Sequence, residues 1–113
     1  MRRLAAMILP VAALVSTACG PPDPETLYVD LGCPRCHGFQ QEGNRYGPTL
    51  KGLSEHWDSE QAVVTYLRNP AEIVENDPRL KAQDADYDLK MQPVASRSDE
   101  DLAVLGAWLL TKE

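Results

Sequence analysis

Cys33-Pro34-Arg35-Cys36-His37 is the stretch on which the reading of this chain turns. Two thiols three positions apart, followed at once by an imidazole, fit a covalently attached haem. Each sulfur can add to a porphyrin vinyl group, and the histidine can bind the iron. A structural zinc site needs four ligands and usually a second half-site, and a thioredoxin-like redox pair needs an α/β framework. No second cysteine pair follows, and the chain does not alternate strands with helices. A disulfide between Cys33 and Cys36 is the plain alternative.

Working outward toward the N-terminus, Arg2-Arg3, an apolar run from Leu4 to Val15 and Ser16-Thr17-Ala18-Cys19 have the three regions of a secretory signal. The run is short for a membrane span. Residues 1–18 therefore read as a signal peptide. Cleavage before Cys19 would leave a thiol for lipidation, as in a bacterial lipoprotein, and ordinary cleavage after Ala18 is the competing outcome. Lipidation is preferred because it gives the third cysteine a role. Gly20-Pro21-Pro22-Asp23 completes a proline-rich tether over 19–23, too poor in backbone donors to be helical. Asp23 then reads as an N-cap with Pro24 at the first helical position, opening a helix to about Gly32 and a domain over 24–113.

All 17 acidic residues follow Cys19, whereas Arg2 and Arg3 precede it, so the processed chain has nine basic residues against 17 acidic, a net −8. That argues against a nucleic-acid surface and favours redox partners with a basic docking face, solubility alone being the plain alternative. A domain this small gains from a covalent or metal-bound staple.

Downstream of His37, Gly38, Gly43, Asn44, Gly47 and Pro48 break the chain into turns. An iron-bound histidine needs its second ring nitrogen hydrogen-bonded, and the carbonyl of Pro48 is the candidate acceptor. Tyr46 and Trp57 are candidates to hydrogen-bond haem propionates. Asp58 and Gln61 have capping-box spacing ahead of a helix that stops at Asn69-Pro70. A short helix around Ala71 to Val74 and a break at Pro78 follow, and Asp84, Asp86 and Asp88 read as solvated surface. Met91 is the only methionine outside the signal segment. It sits between that acidic stretch and the last helix, where a loop could present its sulfur to iron. His56, the only other imidazole, is the disfavoured alternative. The last helix is capped by Ser98 and carries the stripe Leu102, Leu105, Trp108 and Leu109, with Gly106 marking a close crossing against the Leu27/Tyr28 face of the first helix.

CxxCH at 33–37, Gly47-Pro48-Thr49-Leu50, the helix end Arg68-Asn69-Pro70, the lone Met91 and the terminal Leu105-Gly106-Ala107-Trp108-Leu109 together resemble a small bacterial class I cytochrome c. The resemblance runs from about Pro24 to Thr111. Gln92 separates Met91 from Pro93, where the family often has Met followed directly by Pro. The resemblance implies an all-α fold of three to five short helices around one haem, with the first and last helices crossing. It further implies haem c held by Cys33 and Cys36, iron bound by His37 and Met91, and a one-electron carrier rather than an enzyme. Such a carrier, exported and held on the periplasmic side of the envelope, would pass electrons between periplasmic or membrane-bound partners, or serve as a subunit of a respiratory complex. A haem enzyme or gas sensor with a displaceable Met91 is the alternative.

Overall fold

The computed structural model describes residues 20–113. The expected signal peptide at 1–18 and the lipidation point Cys19 lie outside the described residues. Within them the chain forms six α-helices: α1 (Pro24–Asp30), α2 (Pro34–His37), α3 (Glu60–Arg68), α4 (Pro70–Glu75), α5 (Pro78–Asp84) and α6 (Asp99–Leu109). A single 3-10 turn spans Leu53–Glu55. The fold is all-α, as expected, with more helices than the three to five anticipated. The additions are the one-turn α2 and the seven-residue α5.

Proline explains much of this partition. Pro24, Pro34, Pro70 and Pro78 all open helices, where the missing N–H costs nothing and φ is already helical. The expected break at Pro78 is instead a start, because Asp77 caps it by accepting from the backbone N–H of Arg79 (2.9 Å) and Leu80 (3.2 Å). The cap of α3 also differs from expectation. Ser59, not Asp58, adopts the extended conformation and accepts from Ala62 N–H at 3.2 Å. Both residue types cap, and one position separates them. The caps at Asp23, accepting from Thr26 N–H at 2.9 Å, and at Ser98, accepting from Asp101 N–H at 3.1 Å, are as read.

The core joins three helices: Leu27 and Tyr28 of α1, Val63 and Leu67 of α3, and Leu102, Leu105 and Leu109 of α6. The terminal helices α1 and α6 pack together, with Tyr28 and Trp108 edge to face at 5.7 Å between ring centroids. Gly106, however, marks a different crossing from the expected one. A side chain there would meet the Val63 Cβ at 3.2 Å and the Glu60 carbonyl at 3.3 Å, so the small residue admits α3 rather than α1. The stripe on α6 is wide enough to serve both neighbours, and backbone approach is closest where the side chain is absent.

The end of α1 passes directly into the CxxCH segment. Gly32 takes a left-handed conformation (φ 78°) and donates to Val29 O at 3.0 Å, while Cys33 N–H donates to Tyr28 O at 3.1 Å. This is a Schellman cap, whose last residue is the first thiol. Buried Tyr28 also donates its hydroxyl to Gly38 O at 2.5 Å, tying α1 to the residue after His37. The position of the motif is thus set by how α1 packs.

Candidate metal centre

One helical turn carries the whole motif. Pro34 begins α2, and the N–H groups of Cys36 and His37 return to Cys33 O at 3.3 and 3.0 Å. That puts Cys33 and Cys36 at i and i+3, on one side of the turn, with His37 adjacent. Gly38, at φ 82°, stops the turn and reverses the chain.

The loop that follows folds back on α2. His37 O accepts from Gly43 N–H at 2.8 Å, and His37 Nδ1 donates to Pro48 O at 2.8 Å. A carbonyl only accepts, so Nδ1 carries the proton and the Nε2 lone pair is free for a metal. Burial pushes the protonation of His37 below the usual histidine value, with the Pro48 bond acting weakly the other way, so the ring is neutral at neutral pH. Gly47 makes the approach feasible. A Cβ there would stand 2.7 Å from Cys36 O and 3.1 Å from Cys36 Cβ. Gly47→Ala is accordingly expected to destabilise the holoprotein by about 1–3 kcal/mol through overpacking, and to pull Pro48 O from His37. Denaturant unfolding would measure it; a variant as stable as the parent would show that the loop can shift freely.

Gln41 was not legible as a site-supporting residue. It is buried, sits at φ 59°, and its carbonyl accepts from Leu50 N–H (2.9 Å) and Thr49 Oγ1 (3.0 Å), pinning the segment that carries Pro48. A glutamine in a glycine-rich loop has no periodicity to betray burial.

Cys33, Cys36, His37 and Met91 all line one cavity of about 350 Å³, within the range of cofactor sites. Its walls are largely apolar, from Leu50, Leu53, Val63, Leu67, Leu80, Leu105 and Leu109, with Trp57 and Tyr66 stacked edge to face at 5.2 Å. Tyr46 and Trp57 lie on the lining, as does His56. Met91 is half-buried against the hydrophobic core, whereas His56 is exposed. Helix α5, unforeseen in the sequence, adds Arg79. Among the described residues the Arg79 side chain has no hydrogen bond or ion pair, which leaves a cation on the cavity wall. The signal for it was present in Asp77-Pro78, a cap followed by a first-turn proline.

The donor set fits a covalently held haem. Cys33 and Cys36 are both free thiols, and burial pushes the Cys33 thiol up to about 11. It is therefore neutral at pH 7, unlike the low-pKa thiolate of a thioredoxin-type site. Among the described residues, no cluster of three or more His, Cys, Asp or Glu side chains is arranged to hold a metal ion without such a group.

An all-α chain with its terminal helices packed together beside this cleft has the class I cytochrome c arrangement. The sequence pattern of the cytochrome c family matches residues 24–113, most of the chain, and the chain belongs to that family. Its role is electron transfer rather than catalysis, and haem c is the family's cofactor. Comparison with curated proteins and with solved structures returned no match.

Proposed function

We propose that this chain is a monohaem electron carrier in which Cys33 and Cys36 hold haem c by thioether bonds, and His37 and Met91 bind its iron. The observation that carries the reading is the His37 Nδ1 to Pro48 O bond of 2.8 Å, which leaves Nε2 as the donor in a cavity shared with both thiols and Met91. When bound, the haem iron supplies reversible one-electron oxidation and reduction. The protein's residues tune and insulate it. Pro48 raises the basicity of His37 and locks its ring, and the Met91 thioether favours the reduced state. The leucine walls exclude water, and Tyr46, Trp57 and Arg79 offer donors to the propionates.

Met91 is preferred to His56 because it is half-buried against the core, so its sulfur is held with less further ordering than the exposed His56 side chain would need. The preponderance of acidic over basic residues after Cys19 complements a partner with a basic docking face. The signal-like 1–18 segment and a lipidated Cys19, followed by the tether, would hold the carrier on the periplasmic side of a membrane.

The test is an absorption spectrum of the protein matured with haem, oxidised and reduced, with and without carbon monoxide. A c-type spectrum with the weak sulfur-to-iron band when oxidised, and no carbon monoxide shift when reduced, is expected. Immediate carbon monoxide binding would instead indicate a displaceable Met91 and a sensor-like site. Absence of covalent haem would sink the proposal.

A further inference from the structure

The connection from α5 to α6 holds Met91 in a segment without helix or strand, yet its backbone is tied on both sides of that residue. On the near side, Lys90 Nζ donates to Asp84 O at 2.7 Å and Tyr87 O at 2.8 Å, and pairs with the Asp84 carboxylate at 3.0 Å. Asp84 is thus drawn out of the solvated acidic group in which the sequence placed it. On the far side, Val94 N–H donates to Leu67 O at 2.8 Å. Arg68, the last residue of α3, then spends its guanidinium on the same stretch. Nη1 donates to Val94 O at 2.8 Å, Nη2 to Arg97 O at 2.5 Å, and Nε to the Asp99 carboxylate at 2.9 Å.

We propose, resting on the reading of Met91 as an iron ligand, that Arg68 is a positioning residue for the Met91 sulfur, with Lys90 as a weaker counterpart. A guanidinium is a rigid planar fork, so three acceptors from the loop and the start of α6 are held in one fixed geometry relative to α3. Helix α3 itself supplies Val63, Tyr66 and Leu67 to the cavity wall. Arg68 therefore references the loop to the wall of the site. A segment with no ladder of its own has few other constraints, and a neutral thioether stays on iron only if the loop is already ordered. Arg68 is half-buried, whereas Lys90 is exposed and solvent-screened, which ranks the two.

The test uses the holoprotein and measures imidazole affinity of the oxidised form, the sulfur-to-iron band and the reduction potential, alongside thermal stability. Arg68→Gln is expected to raise imidazole affinity roughly tenfold or more, the scale for losing charge-assisted hydrogen bonds, with a weakened band and lower potential. Arg68→Lys keeps the charge but not the fork and is expected to behave like Arg68→Gln. Rescue by Lys would overturn the inference. Asp99→Asn, which leaves the fork and loosens one arm, should shift imidazole affinity in the same direction by less. This variant decides the matter if Arg68→Gln does not fold, and an unchanged affinity and band would overturn the inference. Loss of stability in Arg68→Gln with band and affinity unaltered would overturn it too, by showing a merely structural role. Met91→Ala serves as the reference. If it leaves band and affinity as in the parent, the ligation reading falls and takes the inference with it. If Met91→Ala alters them and the Arg68 variants do not, only the positioning role falls.

Discussion

Met91→Ala is expected to abolish the sulfur-to-iron band of the oxidised holoprotein, lower its reduction potential and let carbon monoxide bind the reduced protein at once. Axial ligands set haem potentials over about 0.8 V, so loss of the thioether should cost on the order of a hundred millivolts or more. Packing contributes separately. The side chain is half-buried against the core, and its truncation should destabilise the fold by about 2 kcal/mol, the low end for methionine. Met91→Leu separates the two effects, because it keeps the apolar volume and has no sulfur. It should retain most of the stability and lose the band. Loss of the band with carbon monoxide still excluded from the reduced Met91→Leu protein would mean that another residue, His56 being the candidate on the cavity wall, completes the coordination, whereas persistence of the band would overturn Met91 as the ligand.

The second large effect belongs to the thiols. Cys33→Ala combined with Cys36→Ala should leave no haem attached after denaturation, read by haem staining of a denaturing gel, whereas each single variant should retain one thioether. The two cysteines project from one turn that is anchored by the Schellman cap of α1 and by the Tyr28 to Gly38 bond, so their placement does not depend on the haem alone. A domain of this size buries roughly 60–70% of its unfolded surface, less than larger domains do, and profits from a staple. The double variant should therefore also be recovered in much lower yield. Covalent haem persisting in it would show that the attachment is made elsewhere and would sink the assignment.

Reading from CxxCH outward reaches the essentials of the site because those features are local. Thiols at i and i+3, the neighbouring imidazole and the proline-ordered carbonyl of Pro48 sit within sixteen consecutive residues, 33 to 48, of one chain segment. The caps at Asp23 and Ser98 are legible for the same reason, since a side chain and an N–H three residues on decide them. Pro78 shows how even a local signal is misread. Proline ends one helix and opens the next with equal ease, and only the preceding Asp77 says which.

The sequence by itself determined the helical class, the terminal-helix pairing, the motif of the site and the family to which it belongs. Tertiary structure decided that Gly106 admits α3 rather than α1, that Gln41 is buried beneath the Pro48 segment, and that Arg68 reaches across to Val94, Arg97 and Asp99. Each of these joins segments far apart in the chain or in irregular loops, where periodicity carries no information. The neighbour of Gly106 follows from which apolar faces close the core at least cost in space, and the partners of Gln41 and Arg68 from which polar groups that packing brings within reach, choices that exist only once the helices have packed.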